Sequence, residues 1–247
     1  MSGHNQYGLS RTIPADVKRA VRQRCGFGCV ICGSAIVEYE HIDPEFARAR
    51  AHDPSGIALL CPNCHARKTR NFISRRRVVE AAAMPAAKVT GFAFSELEAT
   101  RGHPYVVFAG MTLTNCPTPV LVRNLPVLRI EPAEDEGGPY RLSASFFDLA
   151  GVPSLFIRQN EWQVLANAWD VEATGGVIVV RTAPGEIALR LRLDPGAGVV
   201  VERLSMYCGG YKLVGDTQTL ALTSPGGGTN TFSGCMVDNC SVGLALG

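Results

Sequence analysis

The chain has 247 residues, of which 46% are hydrophobic and 19% are charged, a composition typical of a globular protein with a buried core. No apolar run is long enough to span a membrane, and the N-terminal stretch lacks the apolar core of a signal peptide, so we expect a cytoplasmic protein with no membrane partner. The net charge of +2 is unevenly distributed, since residues 1–88 carry 14 Lys and Arg against 7 Asp and Glu, whereas residues 89–247 carry 10 against 15. This asymmetry predicts two modules, of which the first faces a polyanion.

The first module, residues 12–88, is predicted to be a β-β-α unit. Thr12 as an N-cap and apolar residues at helical spacing predict a helix that runs to the first cysteine, whereas residues 1–12 are polar and are expected to be loose. The runs "AIVEYEHI" and "IALLC" predict two short strands joined by a loop. The stretch "PNCHARKTRNFISRRRVVEAAAM" predicts one helix, which ends before Pro85.

The cysteines of this module are spaced for a metal. The chain has nine cysteines and no secretion signal, which argues against a disulfide framework. Two Cys-x-x-Cys knuckles, Cys29 with Cys32 and Cys61 with Cys64, supply four thiolates. Because a four-sulfur zinc site has no open position, we predict a structural Zn²⁺ that folds the module and does not catalyse. Cys25 is expected to pack in the core.

The remainder of the chain is predicted to be all-β. Residues 89–104 have the composition of a linker, and residues 105–247 contain many short β-rich runs separated by Gly, Pro and Asp. A sandwich is favoured, and a β-helix is the alternative, since "GGGTNTFSGCMVDNCSVGLALG" is similar to β-helix coils. The predicted fold class is therefore α+β. No catalytic constellation is visible in the β domain, so we expect it to regulate or to assemble the protein, as a homodimer or with a partner protein.

The segment "CVICGSAIVEYEHIDP…IALLCPNCHARKT" resembles the HNH endonucleases, specifically their zinc-knuckle branch, over about residues 19–72. The resemblance implies a DNA endonuclease in which His41 is the general base. It also implies that Glu40 and His65 ligate a catalytic divalent cation, Mg²⁺, Mn²⁺ or Ni²⁺. Hydrolysis of a phosphodiester requires both an activated water and a cation that neutralises charge on the phosphate.

One position departs from the family pattern. Gly56 stands where the family usually has an asparagine that holds the loop positioning the histidine. His52, Asp53 or Ser55 could take over the orientation of His41 or contact the metal, and we include His52 among the catalytic candidates. The departure keeps a second hypothesis open, namely a zinc-stabilised nucleic-acid-binding or regulatory protein whose nuclease site has decayed.

A cluster of positive charge follows His65. It predicts phosphate contacts with little sequence preference, because contacts to the DNA backbone carry no base information. Phe72, Ile73 and Val78 are expected to form the core face of this helix. Bacterial HNH proteins with an appended domain resemble antiphage-defence or mobile-element nucleases, which implies by analogy that the β domain controls cleavage. The six basic residues are Arg67, Lys68, Arg70, Arg75, Arg76 and Arg77.

Overall fold

The computed structural model describes residues 3–98 and 100–247. It divides into two compact units. The first contains the residues up to Ser95 together with Val164–Val171, and the second contains Glu96–Gln163 and Glu172–Gly247. The predicted α+β class is confirmed, since a small helix-and-strand module precedes a region made of strands in open sheets. Within the described residues, no helix combines the length and apolar character needed to cross a membrane.

The first unit is built around a hairpin and the helix that follows it. Strand β1 (Glu38–His41) pairs antiparallel with β2 (Ile57–Leu60), and all four residues of β2 are buried. They share a core with Val21 and Val78 of the surrounding helices. This core fixes β2, and β2 in turn fixes the register of β1. The helices are α1 (Ala15–Cys25), α2 (Pro62–Thr69), α3 (Arg75–Ala83) and α4 (Ala86–Thr90).

The helix boundaries differ from the sequence prediction in two places. Thr12 is not the N-cap of α1, because Pro14 occupies that position without a side-chain cap. The predicted single helix over residues 62–84 is wrong, since Asn71 adopts a left-handed conformation (φ 62°) and Ser74 caps a new helix by accepting a hydrogen bond from the N–H of Arg77 at 3.2 Å. Asparagine tolerates the left-handed region and serine is a preferred N-cap, so both residues favour the break.

The break also corrects the predicted core face. Ile73 and Val78 are buried as expected, but Phe72 is 77% exposed, because it lies in the turn between α2 and α3. The N-terminal residues are likewise not loose. Residues 3–11 form a small antiparallel turn in which His4 bridges Ser10 and the N–H of Arg11 donates to the carbonyl of Gly3 at 2.9 Å.

The segment Val164–Val171 belongs to the first unit through a buried ion pair. Asp170, 1% exposed, accepts hydrogen bonds from the Nε and Nη2 atoms of Arg22 on α1 at 2.9 and 2.8 Å. The Nη1 atom of Arg22 donates to the hydroxyl of Tyr39 on β1 at 2.8 Å. A carboxylate 148 positions away from Arg22 therefore helps to hold α1 against β1.

The second unit consists of two open sheets. One has the order β19-β6-β7-β8-β9-β10, and the other has the order β11-β12-β13-β14-β15-β16-β17, with β4, β5 and β18 attached. The neighbours from β6 to β10 and from β12 to β17 pair antiparallel, whereas β19 with β6, β4 with β14 and β18 with β5 pair parallel. A β-helix requires parallel coils throughout, so the β-helix alternative is wrong. β8 of one sheet contacts β14 of the other, as a sandwich requires. The strands are β3 (Phe92–Glu96), β4 (Tyr105–Phe108), β5 (Met111–Thr114), β6 (Thr118–Val122), β7 (Leu125–Glu131), β8 (Arg141–Phe147), β9 (Pro153–Arg158), β10 (Glu161–Leu165), β11 (Asp170–Thr174), β12 (Val177–Ala183), β13 (Glu186–Asp194), β14 (Gly198–Cys208), β15 (Tyr211–Asp216), β16 (Thr219–Thr223), β17 (Thr229–Ser233), β18 (Cys235–Asp238) and β19 (Val242–Leu246).

Candidate active site and metal centre

The four knuckle cysteines converge. The Sγ atoms of Cys29, Cys32, Cys61 and Cys64 all lie within 4.8 Å of one another, and those of Cys32 and Cys61 are 3.6 Å apart. A tetrahedral zinc ion with Zn–S bonds of about 2.3 Å separates its sulfurs by about 3.8 Å. The hydrogen bond between Cys29 and Cys32 lowers the pKa of Cys29 to about 5 and raises the pKa of Cys32, so Cys29 is the first of the pair to become a thiolate. The cluster therefore has the donors and the spacing of a structural zinc site.

The two knuckles are formed by the local backbone. In the first, Gly33 takes a left-handed conformation (φ 82°), and its N–H donates to the carbonyl of Cys29 at 2.8 Å. In the second, Cys61 is the N-cap of α2 and its sulfur accepts a hydrogen bond from the N–H of Cys64 at 3.4 Å. His65 is the next residue, so the zinc cluster fixes the position of its backbone. Cys25 lies outside the cluster and is buried in the core.

The second candidate site lies between β1 and α2. Residues two apart on a strand share a face, and Glu38 and Glu40 both contact His65 from β1. Glu40 Oε2 lies 3.0 Å from His65 Nε2, and Lys68 Nζ donates to Glu40 Oε1 at 2.5 Å. The structure thus brings together the three residues Glu40, His65 and Lys68 that the sequence singled out.

The Glu40 and His65 pair fits a divalent cation. An octahedral ion with bonds of about 2.1 Å holds adjacent ligands about 3.0 Å apart, which is the observed separation of the carboxylate oxygen and the imidazole nitrogen. Within residues 3–98 and 100–247, the only group of three or more His, Cys, Asp or Glu side chains that could hold one ion is the cysteine cluster. The second site thus offers two protein ligands and leaves other positions to water and phosphate, as Mg²⁺ prefers.

Glu38 is a site residue that the sequence prediction missed. Its Oε2 atom lies 2.5 Å from His65 Nδ1. A carboxylate on the far nitrogen of a metal-binding histidine fixes the ring orientation and leaves the near nitrogen free for the ion. The sequence did carry a signal, since two glutamates at positions i and i+2 of a predicted strand lie on the same face.

His41 closes β1 and lies beside Glu40 in a cleft of about 350 Å³, which Arg11 and Phe46 also line. Its Nε2 atom is 3.1 Å from His52 Nδ1, so the predicted association of His52 with His41 is present in the structure. His41 is 9% exposed, and this burial, followed by the charge of His52, lowers the pKa of the imidazole against the opposing effect of Glu40. A lowered pKa keeps the ring neutral and able to accept a proton at neutral pH.

The six basic residues fall into two groups. Three have partners, since Lys68 contacts Glu40, Arg75 donates to Asp43 and the carbonyl of Ile42 at 2.5 Å, and Arg76 lies 3.6 Å from Glu80. The other three are exposed and form no ion pair with any residue that the structure describes: Arg67, Arg70 and Arg77.

Comparison with known proteins matches one part of the chain. Residues 23–71 match the family model described as HNH endonuclease, which spans both knuckles, the β1–β2 hairpin and α2. No curated protein and no solved structure matched the chain. Since the matched segment also carries the four-cysteine cluster, the chain contains an N-terminal HNH module, which an all-β region follows.

Proposed function

We propose that the protein is a metal-dependent endonuclease that hydrolyses phosphodiester bonds of DNA. The observation that carries the proposal is the 3.0 Å approach of Glu40 and His65, with His41 adjacent on the same strand. A carboxylate and an imidazole at 3.0 Å, with a second imidazole of lowered pKa on the residue after the carboxylate, are groups that metal-assisted hydrolysis can use. A hydrogen bond alone would also hold Glu40 and His65 at 3.0 Å, so the metal dependence of nicking separates this proposal from the decayed-site alternative, which Gly56 favours.

Each site residue has a distinct role in the proposal. His41 takes the proton from the water that attacks phosphorus. Glu40 and His65 would hold a Mg²⁺, Mn²⁺ or Ni²⁺ ion, and Glu38 orients His65. When bound, the cation neutralises charge on the phosphate and on the leaving oxygen. The zinc cluster contributes rigidity, because it ties the first turn of α2 to the knuckle that precedes β1.

The unpaired arginines supply the DNA contact in this proposal. Arg67, Arg70 and Arg77 are free to reach phosphates, and phosphate contacts give affinity without sequence preference. We also propose that Phe72, which is 77% exposed in the turn between α2 and α3, stacks on an unpaired base. Arg75 has a different role, since its guanidinium anchors the loop at Ile42 and Asp43.

The β region is assigned control or assembly, through a homodimer or a partner protein, and the setting that we propose is antiphage defence. The support is the absence of any metal-type cluster in the described part of this region and the analogy to nucleases with appended domains. Light scattering on the full chain tests self-assembly, and phage plating with wild type and His41→Ala tests the setting. Truncation after residue 104 is unsuitable, because it removes Asp170, the partner of Arg22.

Plasmid nicking tests the central proposal. Wild type should convert supercoiled plasmid to the open-circular form with Mg²⁺, Mn²⁺ or Ni²⁺. His41→Ala should be slower by about 10²- to 10⁴-fold with its zinc content unchanged. Equal rates for the two proteins would show that His41 is not the base. DNA binding without nicking under all three ions would favour the decayed-site alternative, and a labelled RNA of the same length would show which nucleic acid is cut.

A further inference from the structure

Gly56 leaves the site without the family's orienting asparagine, and the surrounding backbone excludes any side chain there. A Cβ built at Gly56 would overlap the carbonyl oxygen of Asp43. The carbonyl of Gly56 accepts hydrogen bonds from the N–H groups of Ile42 and Asp43 at 2.8 and 3.2 Å, which holds the chain in this close approach. The task of positioning His41 must therefore belong to other residues of this chain.

The N-terminal arm, residues 3–13, lies against the loop that follows β1. Asn5 donates through Nδ2 to the carbonyls of Phe46 and Ala49 at 2.6 and 2.7 Å. Its Oδ1 atom accepts from the N–H groups of Tyr7 and Leu9, both at 3.0 Å. One amide side chain thus ties the arm to a loop more than forty positions away, using both its donors and its acceptor.

That loop packs on His41. The ring of Phe46 meets the ring of His41 edge-on, with centroids 5.4 Å apart, and the guanidinium of Arg11 lies 4.7 Å from the Phe46 centroid. Phe46 is therefore held between Arg11 and His41, while its own carbonyl is held by Asn5. Movement of the arm would loosen the packing around His41.

The arm also reaches His41 through a chain of hydrogen bonds. The carbonyl of Ser10 is 2.9 Å from His52 Nε2, and His52 Nδ1 is 3.1 Å from His41 Nε2. A carbonyl can only accept, so Nε2 of His52 carries the proton, and in the neutral ring Nδ1 is then an acceptor. Nε2 of His41 must in turn be the donor, which leaves its Nδ1 atom as the nitrogen with a free lone pair.

We propose that the N-terminal arm does the work of the missing asparagine, with Asn5 fixing the loop and the Ser10 carbonyl, through His52, fixing the tautomer of His41. His52 is thus a positioning residue, since it touches the base and not the substrate. The inference rests on the proposed function in one respect, namely that His41 is the base. It names Nδ1 of His41 as the atom that takes the proton.

The tautomer can be measured without DNA or a divalent cation. Long-range proton–nitrogen correlation spectra of the zinc-loaded full chain, labelled at its five histidines, report which ring nitrogen is protonated. Wild type should show His41 and His52 each protonated at Nε2. His52→Phe keeps an aromatic ring but no nitrogen, and should leave His41 as a mixture of tautomers. His52→Gln keeps an acceptor and a donor, and should restore the single form.

Nicking provides the second readout. His52→Phe should lower kcat by about 10- to 100-fold with little change in KM, the usual cost of losing a supporting hydrogen bond, and His52→Gln should recover most of it. Asn5→Ala should lower kcat as well, whereas Gln6→Ala, at an exposed neighbour with no such bonds, should not. Zinc content and melting temperature identify any variant that fails to fold.

The outcomes distinguish failure of the arm proposal from failure of the proposed nuclease function. His41 protonated at Nδ1 in wild type, or an unchanged tautomer in folded His52→Phe, overturns the relay even if the protein cuts DNA. Equal rates for Asn5→Ala and Gln6→Ala overturn the role of the arm. A tautomer that depends on His52 in a protein that does not cut supports the relay and removes the proposed function.

Discussion

The cysteine cluster and the proposed cation site of the first unit meet at neighbouring residues of α2, Cys64 and His65, yet they differ in donor type, burial and access. The cysteine cluster has four soft donors, of which three are buried, and no open position. The second site has two hard or borderline donors, Glu40 and His65, and both side chains are partly exposed. A closed site can contribute only folding energy, whereas an open one can admit a phosphate and a water. In the proposed function, one ion therefore stabilises the fold and a second ion takes part in the chemistry.

Removal of a zinc ligand should give the largest effect. Zinc binding in small modules is worth roughly 10–16 kcal/mol, so Cys61→Ser should release the metal and unfold the first unit. Cys25→Ala is the matched control, because Cys25 is buried like Cys61 but lies outside the cluster. Zinc content by mass spectrometry and protease resistance measure the two variants. A folded, zinc-free Cys61→Ser protein would contradict the structural role.

Changes at the open site should abolish chemistry and spare the fold. Glu40→Gln should keep its zinc and its melting temperature but lose at least about 100-fold in nicking, since it removes a charged ligand of the cation. Glu38→Gln should lose only about 10- to 100-fold, because Glu38 supports His65 from behind. The Mg²⁺ concentration for half-maximal nicking should rise in both. A larger loss of nicking in Glu38→Gln than in Glu40→Gln would mean that Glu38 is the cation ligand and Glu40 the support of His65.

The contrast between the sites also explains what could be predicted from the sequence. The cysteine cluster was predictable because knuckle spacing is a local pattern, whereas Glu40, His41 and His65 were proposed because their segment resembles the HNH endonucleases. Asn5 and Asp170 were not found, since their partners lie more than forty and 148 positions away along the chain. The break at Asn71 was missed although its signals, an asparagine followed by a serine cap, are local. Helical spacing outweighed them in the prediction.

The pH dependence should show that the open site is poised for base catalysis. Burial and the charge of His52 lower the pKa of His41, so the neutral form should persist below the ordinary histidine value of about 6.5. Because the base acts when neutral, the nicking rate should rise with pH, reach half its plateau below that value and be flat at neutral pH. A cation bound nearby would also lower the pKa of His41, because its positive charge disfavours the imidazolium form. A half-maximum above pH 7 at saturating metal would show that His41 is not the titrating base.

The exposed arginines should produce the smallest effect, confined to binding. Each phosphate contact contributes about 0.9 to the slope of log affinity against log salt on duplex DNA. Arg67→Ala, Arg70→Ala and Arg77→Ala should therefore each reduce the slope by up to that amount and leave kcat at saturating DNA unchanged. Arg76→Ala is the control, since Arg76 is on α3 like Arg77 but lies near Glu80. Fluorescence anisotropy at several salt concentrations gives the slope for each variant. An equal slope change in Arg76→Ala and Arg77→Ala would mean diffuse attraction to the whole basic helix and no defined phosphate contacts.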